Sequence, residues 1–214
     1  MKRDMNRDEK RIQWVLMNLR LSGSAMDMEQ AARIAGGEYV LEASLEEHLL
    51  VTNLLEALTE MERVLGIEEE LCVRTLQRFY SVFSGGEEGV FRKRTPILTH
   101  LSYNPVLPQE IEGELSKLFR GLHAHPVVNG LEAAVFVHNE LIRIYPFDRY
   151  NELIARAAME YELLYCGLDL YPLTLSESEY NSALADYVRF GRESRILENL
   201  KLNRLMAESK ETPL

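Results

Sequence analysis

Apolar positions recur along most of this chain at spacings of three and four, the period of a helix with one face on a core. Ile12, Val15, Leu16 and Leu19 mark the first such face. Asp27 stands where an N-cap would, with Gln30 at the third helical position; that helix runs through Ala31, Ala32 and Ile34 and stops at Gly36-Gly37. From about Ser44 to Leu65 the spacing is kept by Leu50, Leu54, Leu58, Met61 and Leu65, and Gly66 ends it. Another helix is predicted from about Glu69 to Phe83, closed by Ser84-Gly85-Gly86. Helices resume near Gln109, with Ile111, Leu115 and Leu118 as one stripe. The next, from about Gly130 to Tyr145, aligns Ala134, His138, Leu141 and Tyr145, and Pro146 ends it because proline disfavours helix in the residue before it. A turn over Phe147 to Tyr150 leads to a helix from about Asn151 to Cys166, closed by Gly167. Two more are predicted over Ser176 to Phe190 and Glu193 to Ser209.

One segment departs from this period. Between Val90 and Pro108, Ile97, Thr99 and Leu101 alternate with other residues and Tyr103-Asn104-Pro105 makes a turn. A short β-hairpin or extended flap is expected there. Pro96, Pro105 and Pro108 exclude a central strand. The fold class is therefore all-α with a small β-hairpin flap. The expected organisation is an N-terminal helical segment over 1–66, a core over 67–192, and a C-terminal helix and tail over 193–214.

Composition narrows the function. The chain has 214 residues, 46% of them hydrophobic and 27% charged, enough for a real core. Its formal charge is −10, from 34 acidic against 24 basic residues, which repels nucleic-acid phosphates. The nearest basic patch, Arg92-Lys93-Arg94, is short and reads as a solvated turn. No nucleic-acid partner is expected. Cys72 and Cys166 lie far apart among apolar neighbours, with no metal spacing, and read as small buried residues. No metal is expected. Met1 to Lys10 lacks the apolar run of a signal peptide, and no stretch approaches membrane-spanning length. No membrane partner and a reducing cytoplasm are the expectations.

The informative stretch is Tyr145-Pro146-Phe147-Asp148-Arg149-Tyr150-Asn151-Glu152-Leu153-Ile154-Ala155-Arg156. It resembles the Fic motif, His-x-Phe-x-Asp/Glu-Gly-Asn-Gly-Arg-x-x-Arg, with Pro146, Phe147, Asn151 and Arg156 where the pattern puts them. The flanks extend the likeness over nearly the whole chain. His125-Pro126-Val127-Val128 with Ala133-Ala134 and His138 resembles the approach to the motif. Glu179-Tyr180-Asn181-Ser182-Ala183-Leu184 resembles the Tyr-x-x-Ala-Leu segment downstream. Gly89-Val90-Phe91-Arg92, followed by Pro105 to Pro108, resembles the start of the target-docking flap, and Asn53 with Ala57-Leu58 resembles an N-terminal helix of the family.

The resemblance implies a Fic-type helical domain and, in intact members, transfer of AMP or another phosphate-containing group to a protein hydroxyl. The motif histidine takes a proton from the attacking hydroxyl, since its pKa lies near working pH. The acid holds Mg²⁺, the glycines let backbone N–H groups reach the phosphates, and the arginines neutralise charge. Here Tyr145 replaces the histidine, and a phenol of pKa about 10 is a poor base. Arg149 replaces the acid, with Asp148 one residue early. Tyr150 and Glu152 replace the glycines and Leu153 the first arginine.

The chain is thus expected to be a Fic-like protein inactive in AMP transfer, acting as a binding or regulatory module. The alternative is a divergent enzyme for AMP or another phosphate-containing group, or a nucleotide- or anion-binding protein. The degenerate positions are Tyr145, Asn151 and Arg156. Asn151 and Arg156 are the candidates for a residual anion site, and a structural ion pair is the other reading of Arg156. No cofactor is expected; ATP and Mg²⁺ enter only under the alternative. His138, two turns or roughly 10 Å before Tyr145, reads as a packed, hydrogen-bonded histidine. Thr95, Ile97, Thr99 and Leu101 are the flap residues expected to take a protein partner by strand addition, and a homodimer fits family precedent. Members often carry a self-inhibitory Ser/Thr-x-x-x-Glu-Gly/Asn segment, placed here either at Asn18 to Ser22 or at Thr52 to Glu56.

Overall fold

The computed structural model describes residues 2–124, 129–192 and 195–211. The helices are α1 (Lys2–Arg20), α2 (Met28–Ala35), α3 (Leu45–Leu65), α4 (Val73–Ser84), α5 (Ile111–Ala124), α6 (Gly130–Ile144), α7 (Asn151–Tyr165), α8 (Glu177–Phe190) and α9 (Arg195–Glu211), with one 3-10 turn at Pro108–Glu110. Three of them start on reciprocal caps. Asp27 accepts from the Gln30 N–H, Ser44 from Glu47 and Ser176 from Glu179, and each third residue's side chain returns to the cap backbone. Such a box satisfies two of the amide donors that a helix start leaves open.

The most extensive helix pairing is α6 on α7. From Leu153 to Leu163 every residue of α7 is buried, the pattern of a helix enclosed on all sides. Helices α3 and α4 cover α7, while α5, α8 and α9 pack on α6, and α1 and α2 lie on α3. The turn between α6 and α7 therefore sits at the end of the most enclosed pair.

Three expectations of the fold need correction. The flap is not a hairpin. Over Val90 to Pro108 the structure forms one isolated antiparallel bridge, Leu98 with Tyr103, closed by Leu98 N–H to Tyr103 O (3.0 Å) and Tyr103 N–H to Leu98 O (3.3 Å). Between them Leu101 N–H bonds back to Leu98 O (3.1 Å) and Ser102 takes a positive φ of 49°, so the chain turns where alternation suggested a strand. Pro96 and Pro105, just outside the bridge, supply no N–H to extend it. Leu98 and Leu101 are the buried pair; Ile97 is 75% exposed, Thr99 is exposed and Thr95 half-buried. The second correction concerns α4, which starts at Val73 rather than near Glu69. Glu69 instead bonds Arg78 (2.8 Å) and gives its carbonyl to the Tyr161 hydroxyl.

Cys72 and Cys166 are free and half-buried rather than buried. Among the described residues no helix is long and apolar enough to cross a membrane. The expected helix start at Glu193 and the His125 to Val128 flank lie outside the described residues.

Candidate functional site

Helix α6 ends at Ile144, and Tyr145 leaves it in the left-handed region (φ 52°, ψ 62°) with its N–H on Leu141 O at 2.8 Å. Pro146 follows, and Phe147 drops beneath the turn, 0% exposed, its ring 5.1 Å from Tyr80 and 5.7 Å from Phe91. Asn151 then grips Phe147 from both sides: its Oδ1 accepts the Phe147 N–H (2.9 Å) and its Nδ2 donates to the Phe147 carbonyl (2.7 Å). Tyr150, the residue before α7, is also left-handed (φ 63°, ψ 11°), with its ring against Tyr80 and Phe83. A non-glycine residue there costs about 1–2 kcal/mol, which the packing of the ring offsets. The turn is thus held by Phe147 and Asn151, and Asn151 is committed to backbone rather than open to an anion.

Arg92 ties the flap to this turn. It is 2% exposed, and its guanidinium donates to Tyr145 O (2.7 Å), Arg94 O (3.0 Å), Ile144 O (3.2 Å) and Val106 O, while its own N–H bonds Pro146 O (2.9 Å). Two of these carbonyls belong to the α6 C-terminus, where they lack helical donors. Burial lowers the Arg92 pKa, with Asp148 opposing. The reading of Arg92-Lys93-Arg94 as a solvated turn holds for Lys93 and Arg94 and fails for Arg92. The local sign was its place after Gly89 and Phe91; two of the carbonyls it serves lie some fifty residues away in sequence.

Arg156, 1% exposed, is spoken for as well. Its Nε donates to Asn18 Oδ1 (2.7 Å), one terminal nitrogen to Ser22 Oγ (3.2 Å) and the other to the Tyr180 hydroxyl (3.5 Å). The guanidinium carbon lies 5.5 Å from the Tyr180 ring centre. The Tyr180 hydroxyl in turn meets His138 Nε2 at 2.8 Å, and His138 Nδ1 meets Asn139 Oδ1 at 2.9 Å. A consistent proton arrangement follows: Arg156 donates to Tyr180, Tyr180 to Nε2, and Nδ1–H to Asn139. His138 is fully buried, and burial pushes its pKa down to about 4, with the Arg156 charge adding and the Asn139 bond opposing. It is the packed, hydrogen-bonded histidine expected, and its ring is joined to Tyr180, not Tyr145.

Of the two self-inhibitory placements, Asn18 to Ser22 is the one brought onto the motif, through Arg156. Thr52 bonds its own helix at His48 O (3.0 Å), and Thr52 and Glu56 are both exposed on α3.

Glu152 stands in the first turn of α7, where phosphate would meet the helix N-terminus. Its Oε1 is 3.0 Å from His100 Nε2 of the flap and its Oε2 3.9 Å from Arg156. Burial, reinforced by the Glu152 charge, raises the Tyr145 phenol to about 12. Leu153 faces the core, 9% exposed. At the acid position, Arg149 is exposed and bonds Glu87 at 2.5 Å; Asp148 is exposed. These residues do not fit Mg²⁺: the position that should offer it a carboxylate offers a guanidinium. Among the described residues no three His, Cys, Asp or Glu side chains converge.

Comparison with known proteins fits this geometry. The sequence pattern of the Fic/DOC family matches residues 58–163. No curated protein matches the chain. Among solved structures it is similar to a Fic family protein from Desulfovibrio desulfuricans G20 (TM-score 0.78, 18% identity, covering 97% of this chain and 67% of that one). It is equally similar to a Fic domain containing signaling protein from Bacteroides thetaiotaomicron VPI-5482 (0.78, 18%, 98% and 86%). A Fic-1 segment from C. elegans follows (0.75, 19%, 97% and 64%), so the chain spans about two thirds of the first and last of these. The family pattern runs from the end of α3 through α7, so residues 58–163 carry a Fic/DOC-family domain, and the solved structures share the fold of nearly the whole chain.

Proposed function

We propose that this Fic-like protein does not transfer AMP and acts as a binding or regulatory module. The observation that carries the reading is the state of Arg156. The last polar residue of the motif free to neutralise a phosphate is buried, bonded to Asn18, Ser22 and Tyr180, and faced by the Glu152 carboxylate. Opening it to a ligand would leave Asn18 and Tyr180 short of a buried partner, at about 1–3 kcal/mol each. Glu152 adds repulsion where phosphate oxygens would have to sit, and positioning with charge neutralisation is most of phosphoryl-transfer catalysis.

What the module offers a partner is the flap. Ile97 is 75% exposed and Thr99 is exposed beside it, while Arg92 anchors the base of the segment. An extended peptide of a partner protein could lie along Thr95 to Ile97 with its apolar side chain on Ile97, since the Leu98 and Leu101 amides are already bonded within the turn.

The test is a thermal shift with ATP, ADP and GTP, each with and without Mg²⁺. A ligand at a hundred times its Kd raises stability by about 2.7 kcal/mol, so binding would be plain. No shift is expected. A Mg²⁺-dependent shift lost in Arg156→Ala would move the chain to the divergent-enzyme reading.

A further inference from the structure

Away from the motif, at the corner between α2 and α3, four apolar side chains stand in solvent. Tyr39 is 70% exposed, Leu41 82%, Leu45 71% and Leu49 53%. Leu45 and Leu49, one turn apart, share the outward face of α3, and Leu41 lies four residues ahead of Leu45 on the approach to the helix. Tyr39 stacks on His48, ring centres 4.9 Å apart. The backbone beneath is fixed. His48 Nε2 accepts the Val40 N–H at 3.0 Å and its Nδ1 meets Ser44 O at 2.9 Å, so a neutral ring protonated on Nδ1 satisfies both. Val40 and Ala43 point into the core between the exposed residues. The apolar tips are therefore held out by an anchored segment, and leaving them in water forgoes about 25 cal/mol per Å². Contiguous exposed apolar side chains of this kind mark interaction surfaces.

The charges around them select the occupant. Glu38, Glu42 and Glu46 interleave with the apolar residues and are exposed. Arg33 is bonded to Glu38 at 2.9 Å. Two copies of this corner face to face would set like charges against each other, and the same charges repel an anionic bilayer or a nucleic acid. We propose that the α2–α3 corner docks a cationic amphipathic segment of another protein. Its apolar side chains lie on Tyr39, Leu41, Leu45 and Leu49, and its Lys or Arg residues face Glu42 and Glu46. Four anchors are few against the roughly 20–30 residues a side of a stable interface, so the complex is weak and exchanges fast.

The probe is a synthetic amphipathic Leu/Lys helix of about 18 residues, about 27 Å long, followed by fluorescence anisotropy. A Leu/Glu helix of the same pattern and phosphatidylserine-containing vesicles run beside it. Wild type should bind the Leu/Lys helix alone. L45S/L49S and E42K/E46K, all exposed positions whose melts should match wild type, should each weaken binding at least about tenfold. A remote pair, Glu112→Lys with Glu198→Lys, should change it by less than about twofold. Binding that survives L45S/L49S, equal binding of the Leu/Glu helix, uptake onto the vesicles, or Leu45-dependent self-association in sedimentation would each overturn the proposal.

Discussion

Glu152 and Arg156 stand one turn apart on α7 with 3.9 Å between carboxylate and guanidinium, the pair on which the proposed loss of phosphate binding rests. The acid is the outer member, reaching His100 on the flap; the arginine is the inner one, reaching Asn18 on α1. Several consequences can be measured.

Restoring the histidine alone will not restore chemistry. Tyr145→His would return a base worth about 10²–10⁴-fold, but Arg149 still occupies the acid's place and Glu152 the phosphate's. Transfer of label from ATP to protein should stay at background for wild type and Tyr145→His alike. Mg²⁺-dependent labelling by the wild type would refute the inactive reading.

Glu160 makes stability fall as pH rises. It is 1% exposed, neither oxygen has a hydrogen-bond partner within bonding distance, and burial lifts its pKa to about 8, the nearby Trp14 indole, itself unpartnered, opposing only weakly. An acid with a raised folded pKa binds its proton more tightly folded than unfolded. Its favourable protonated state is fully kept below pH about 4.5 and lost as pH climbs through about 8. The shift corresponds to about 5 kcal/mol at most. Glu160→Gln should match wild type in urea unfolding at pH 5 and exceed it clearly at pH 9. Equal stability of the two proteins at pH 9 would mean the carboxyl is solvated.

His138 works with the opposite sign. Its folded pKa of about 4 lies below the ordinary 6.5, so its contribution is complete above pH 6.5 and is lost as pH falls through 4, by about 3 kcal/mol. The imidazole carbon-bound proton resonances of His138 should stay flat from pH 8 to pH 5. A midpoint near 6.5 would contradict the buried, Tyr180-bonded ring.

Arg92→Met should destabilise the fold by about 3 kcal/mol, because the carbonyls of Ile144, Tyr145 and Val106 lose their shared donor. Lysine should not rescue it, since one ammonium cannot span those acceptors. Chemical denaturation of the three proteins decides this; a loss under about 0.5 kcal/mol would make Arg92 an ordinary surface residue.

The helices were legible because their signals are local. Asp27, Ser44 and Ser176 cap as their chemistry dictates, and Pro146 ends α6 one residue from where the pattern placed it. Phe147, at the motif's apolar position, lies beneath the turn at 0% exposure. Distant pairings were not legible. Arg92 looked exposed because the α6 carbonyls that bury it, Ile144 and Tyr145, lie far from it in sequence. Glu160 sits inside α7 only because that helix is covered on every side, which no period within α7 itself reveals. The flap misled because a tight turn between Leu98 and Tyr103 spaces its buried residues by three rather than two.

The left-handed backbone at Tyr150 has one more implication. The path of the turn is set by what grips it from below, Phe147 and the Asn151 side chain, and not by the residue at its tip. A glycine at 150 would enter a conformation already drawn for it, giving up the ring's contacts with Tyr80, Phe83 and the Arg149 guanidinium. The loop's path and the side chain at its tip are therefore set by different residues, so a change at position 150 can alter what the loop presents without redrawing its backbone.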